Sequence, residues 1–138
     1  MASIQPIWLT PADARAALDK GSIDAWAVWD PYASAAALKG DTRVIFDSSQ
    51  LHSVYSFYLS TPQFLKAHPK DAQKIVDTLN ATDEWIKAHP QEAIQILAES
   101  TGIDRTVAEK VLSKRPDTVQ TYYLNDAVIK DQQKIADL

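Results

Sequence analysis

Twelve residues constrain this chain most: Gly21-Ser22-Ile23-Asp24-Ala25-Trp26-Ala27-Val28-Trp29-Asp30-Pro31-Tyr32. Gly21 stops whatever helix precedes it. Ile23, Ala25, Ala27 and Trp29 then alternate with Asp24, Trp26, Val28 and Asp30, the period of a strand. Asp30-Pro31 follows, a helix-capping residue with proline at the first helical position. A strand is therefore expected to run straight into a helix N-terminus. In open α/β sheets the carboxyl end of a strand beside a helix N-terminus is where ligands sit. Two tryptophans and a tyrosine at that junction supply apolar walls. A buried strand with a well-capped helix would use the same residues, so the junction alone does not require a ligand.

The surrounding chain sets the context. Thr10-Pro11-Ala12-Asp13 reads as a helix start, and Ala14, Ala17 and Leu18 give that helix its apolar face. With a β-prone run at residues 5–9 before it and the run at 23–28 after it, this is a β-α-β unit, hence a parallel pair. A helix from Pro31 to about Leu38 ends at Gly40. Arg43 to Phe46 and Ser56 to Ser60 are expected as two more short strands.

After Thr61-Pro62 the chain reads almost entirely as helix. Ala72, Ile75, Val76 and Leu79, with Trp85 and Ile86 beyond, follow one helix face. Ile94 and Leu97 mark the next helix, which stops at Gly102. Asp104 is placed to cap another that carries Val107, Ala108, Val111 and Leu112, and Leu124, Val128, Ile135 and Leu138 line a last one. Lys-Ala-His-Pro occurs at 66–69 and again at 87–90, and both copies read as helix ends set by the proline. The whole is expected to be α/β, with short parallel strands in the N-terminal part and helix dominant after residue 61. Four short strands make a thin sheet, whose faces need cover from elsewhere.

Chemistry is sparse. The 138 residues include no cysteine, which excludes disulfides and thiolate chemistry. A net charge of -4 with no basic run argues against nucleic acid. No segment reaches the roughly 18 apolar residues of a membrane span. The start, Met1-Ala2-Ser3-Ile4, has neither the basic nor the apolar region of a signal peptide. His68 and His89 precede prolines at helix ends and are expected to face solvent. His52 lies in a loop from which it could reach a ligand. No two histidines have metal-ligand spacing, and no nucleophile, base and orienter fall together, so no metal, cofactor or catalytic residue is assigned.

Leu9 to Ala17, Gly21 to Tyr32 and Ser56-Phe57-Tyr58-Leu59, in this order and spacing, resemble the aliphatic-sulfonate-binding proteins of ABC importers, relatives of the taurine and nitrate receptors. Arg115-Pro116 and Gln132 to Asp137 resemble that family's late segments. The resemblance implies a type II periplasmic binding fold: two α/β lobes joined by hinge strands, with an anionic solute between them and a membrane permease as partner. It covers only the C-terminal half of such a protein. Residues 1–54 would belong to the second lobe, and residues 55–138 would be the hinge strand and the helices that close the first.

A sulfonate offers three acceptor oxygens on an apolar tail, so the site needs N–H and hydroxyl donors beside aromatic walls. The resemblance places Trp29 and Tyr32 against the tail and the N–H groups of Tyr32 and Ala33 toward the anion, with Ser56 and Tyr58 as second candidates. Asp30 would repel an anion and is assigned to capping or the hinge. Two alternatives stand beside this periplasmic receptor. Thiamine-pyrimidine-synthesis enzymes share the lobe architecture, but need a histidine and a metal in the cleft, where only His52 is available. The chain could also be a non-binding, self-associating fragment. Half of a two-lobed receptor would leave Ile23, Ala25, Ala27, Phe57 and Leu59 short of neighbours, which predicts a homo-oligomer and little sulfonate affinity in a single copy.

Overall fold

The computed structural model describes residues 4–47, 55–116 and 119–137. Seven helices occur among these: α1 (Pro11–Asp19), α2 (Tyr32–Lys39), α3 (Pro62–Ala67), α4 (Pro69–Ala88), α5 (Pro90–Thr101), α6 (Arg105–Ser113) and α7 (Asp126–Ala136). His52 lies outside the described residues.

Helix starts follow from local chemistry. The Thr10 hydroxyl accepts from the Asp13 N–H at 3.3 Å, and the Thr61 hydroxyl accepts from the Phe64 N–H at 3.2 Å. Each satisfies one of the N–H groups that a first helical turn leaves without a partner. Asn125 Oδ1 accepts from both Ala127 and Val128 N–H at 3.1 Å. Asp104 precedes α6 in extended backbone, but its side chain accepts no N–H; its carbonyl takes those of Val107 and Ala108 instead. Gly40 (φ 75°) and Gly102 (φ 69°) end α2 and α5 in the left-handed region that residues with a Cβ rarely adopt.

The two Lys-Ala-His-Pro copies fold alike. His68 (φ -131°, ψ 52°) and His89 (φ -129°, ψ 56°) leave the helix by the same route, and each following proline opens the next helix at once. Each histidine ring lies over the aromatic residue four positions earlier, His68 on Phe64 at 5.1 Å and His89 on Trp85 at 4.9 Å. His68 is exposed as expected, whereas His89 is half-buried by its stack.

The core is built from small residues. Ala93 and Ile94 of α5 and Val107 and Ala108 of α6 are buried where those helices pack, and α2 adds Ser34 and Ala36 against α6. Two polar ties hold the far segments. Asn80 on α4 donates to the Thr121 carbonyl at 2.9 Å and accepts the Thr121 N–H at 2.8 Å. Arg115, just past α6, pairs with Asp83 of α4, which is 7% exposed.

The expected strands are corrected. Among the described residues there is no strand, and no backbone-to-backbone hydrogen bond reaches 5–9, 23–28, 43–46 or 56–60. Period-2 alternation fits a segment to a sheet, but a strand exists only when a neighbour supplies the ladder. Within 23–28, Trp26 and Val28 are half-buried, whereas Ala25 and Ala27 are exposed. Phe57 and Leu59 are exposed as well, and Ile23 is half-buried.

Candidate functional site

The site is built at the start of α2. The Asp30–Pro31 peptide is cis. Trp29 and Tyr32 meet edge to face, with ring centroids 6.2 Å apart and planes at 84°. They remain 68% and 42% exposed, so the pair is an open apolar corner rather than core. The Ala33 N–H donates to the Trp29 carbonyl at 3.2 Å, and the Ser34 N–H donates to Asp30 Oδ1 at 2.9 Å. Of the two N–H groups assigned to an anion, that of Ala33 is thus engaged within the chain. That of Tyr32 has no backbone acceptor among the described residues.

Asp30 is a capping and docking group. Lys114, at the end of α6, reaches its two oxygens at 3.1 and 3.3 Å. Burial pushes the Asp30 carboxyl up, but the Ser34 hydroxyl and N–H and the Lys114 ammonium outweigh it and hold the group below its ordinary value. The carboxylate beside the aromatic corner is therefore neutralised by a cation 84 positions away. Its stabilising effect is present above the ordinary carboxylate value and is lost as the pH falls through the lowered folded-state value. In an acid titration followed by tryptophan fluorescence, Asp30→Asn should narrow its stability gap to wild type as the pH falls through that range. A gap that stays constant with pH would remove Asp30 from the account.

Lys114 and Ser34 were not among the residues singled out from the sequence. Ser34 stands four positions after Asp30, a spacing that local capping could have flagged. Lys114 carries no such local signal. Ser56 and Tyr58 lie in the exposed segment after residue 54. Among the described residues, no hydrogen bond or ring contact joins them to Trp29 or Tyr32. A furrow on α4, lined by Ile75, Thr78 and Leu79, and another on α7, lined by Ile129 and Gln133, also lie away from the corner. No group of three or more metal-ligating side chains occurs among the described residues. No helix among them is long and apolar enough to cross a membrane.

Comparison with known proteins gives the family of the chain that carries this helix start and its open aromatic corner. Residues 1–102 match the NMT1-like family, and the chain belongs to that family. It is 39% identical over 135 residues to an aliphatic sulfonates-binding protein of Escherichia coli K12, covering 98% of this chain and 42% of the relative. It is 30% identical over 133 residues to a Bacillus subtilis 168 protein of the same name, covering 95% and 39%. Its fold matches the crystal structure of the periplasmic aliphatic sulphonate binding protein SsuA from Escherichia coli with a TM-score of 0.88 at 39% identity, over 97% of this chain and 46% of that one. The chain thus spans less than half the length of the relatives it matches.

Proposed function

We propose that this chain supplies part of a solute receptor for aliphatic sulfonates or similar anions such as taurine and nitrate. The receptor would work in the periplasm and deliver its solute to an ABC permease. The observation that carries this reading is the Trp29–Tyr32 pair, 6.2 Å apart and exposed at a helix start whose neighbouring carboxylate is already neutralised. The names of the relatives at 39% and 30% identity support the solute class. In this reading the protein binds and releases its ligand unchanged and is not an enzyme. Residues 1–54 serve the second lobe of a type II periplasmic binding fold, and residues 55–138 serve the hinge and the first lobe. Trp29 and Tyr32 wall the apolar tail, Tyr32 and Ala33 border the anion, and Ser56 and Tyr58 face it across the cleft. A single copy is expected to bind weakly, and association of copies is expected.

A chimera tests the reading. This chain replaces the segment of the Escherichia coli relative that it matches, and calorimetry is run with ethanesulfonate, taurine and nitrate. Saturable ethanesulfonate binding is expected, unchanged by His68→Ala or His89→Ala. A folded chimera that binds none of the three ligands would overturn the reading.

A further inference from the structure

Lys114 and Arg115 stand side by side at the end of α6 and reach different parts of the chain. The Lys114 N–H donates to the Val111 carbonyl at 3.2 Å, so its backbone still follows the helix. Arg115 pairs with Asp83 of α4, a carboxylate only 7% exposed, which fixes the end of α6. α6 and α2 pack against each other, and each buries one small side chain completely, Ala108 and Ser34. The Lys114 ammonium is thus carried to the start of α2, where it meets the two Asp30 oxygens at 3.1 and 3.3 Å. Both members of the pair, and both helices that present them, lie within this chain.

Each charge suits the helix end that bears it, an anion at the N-terminus of α2 and a cation at the C-terminus of α6. Asp30 therefore competes with any bound anion for the same field. It stands between Trp29 and Tyr32 in sequence, and its Oδ1 already accepts the Ser34 N–H at 2.9 Å. Without Lys114 the aromatic corner would be flanked by an uncompensated carboxylate, which repels a sulfonate. With Lys114 the two charges cancel, and the field of the helix start is left to the ligand.

We propose that Lys114 is a specificity-determining residue of the receptor: by cancelling the Asp30 carboxylate it lets the start of α2 accept an alkanesulfonate anion. The inference rests on the receptor reading and deepens it, since it assigns the charge balance of the site to a residue 84 positions from Asp30. A mechanical tie between α6 and α2 would use the same contact, but it predicts a different order of affinities. Ethanesulfonate binding is measured by calorimetry in the chimera, in its Lys114→Met and Asp30→Asn variants and in the double variant.

Charge cancellation orders the four by local charge. Lys114→Met should bind about tenfold more weakly, near the low end of what Coulomb's law gives for unit charges about 4 Å apart between water and a protein surface, because Asp30 is still 29% exposed. Asp30→Asn should bind at least as tightly as the parent. The double variant should return to within about twofold of it, a recovery that a misfolded protein could not give. Taurine, whose ammonium balances its sulfonate, should lose less than ethanesulfonate in Lys114→Met. Salt at about 1 M, where charges are screened beyond about 3 Å, should shrink the Lys114→Met gap. A mechanical tie is lost in all three variants, so equal weakening in all three would overturn the proposal and leave the receptor reading standing. So would a Lys114→Met chimera that binds like its parent, or a taurine loss as large as that of ethanesulfonate. A parent chimera that binds none of the ligands would instead remove the receptor reading, and the proposal with it.

Discussion

Replacing Arg115 by methionine should lower the stability of the folded chain by about 3 kcal/mol. The guanidinium reaches Asp83 from just beyond α6, and Asp83 sits on α4 at 7% exposure. Removing the cation leaves a carboxylate with little access to water. Losing one partner of a buried pair commonly costs about 3–5 kcal/mol, and the 30% exposure of the Arg115 side chain places this pair at the low end. The loss is large against the roughly 5–15 kcal/mol of an ordinary domain, the more so where the core is mostly alanine. Asp83→Leu combined with Arg115→Met should recover much of it, because the pair is then gone and no charge is stranded. Urea unfolding followed by helical circular dichroism measures all three. A loss below about 1 kcal/mol in Arg115→Met would mean that the pair behaves as a surface contact.

Two of the ion pairs that join distant segments, Asp83 to Arg115 and Asp30 to Lys114, bridge 32 and 84 positions. Neither leaves a trace in local pattern, because a charge at a helix end looks the same whether solvent or a partner meets it. What was legible was local. Thr10-Pro11 and Thr61-Pro62 announce helices through caps that bond within three residues, and Gly40 and Gly102 stop them through backbone freedom alone. The His-Pro breaks were legible for the same reason. The strands were not: alternation at 23–28 describes a segment fit for a sheet, and the neighbour that would complete the ladder is not encoded in those residues. Alternation also left the buried side open. The structure sets Trp26 and Val28 inward and leaves Ala25, Ala27 and Trp29 out. For the candidate site, the aromatic corner could be read from Trp-Asp-Pro-Tyr. The engagement of the Ala33 N–H by the Trp29 carbonyl required the backbone.

Trp29→Ala, made in the chimeric receptor, should weaken ethanesulfonate binding by on the order of 1–3 kcal/mol, the scale of losing the burial of one large apolar side chain. That is about 5- to 150-fold in affinity. The effect is expected in binding and not in folding, because Trp29 is 68% exposed and little packs against it besides the edge of Tyr32. Tyr32→Phe should be nearly silent if the ring alone walls the tail, since it keeps the edge-to-face contact and the backbone N–H. Lengthening the ligand from ethane- to butanesulfonate should widen the gap between wild type and Trp29→Ala, because each added methylene gains only where the indole is present to cover it. A gap that stays constant along the series would place the tail elsewhere. Equal affinity of the two proteins for every sulfonate would remove Trp29 from the site altogether. The helix start would then be left as a capping and docking element, held to α6 by Asp30 and Lys114.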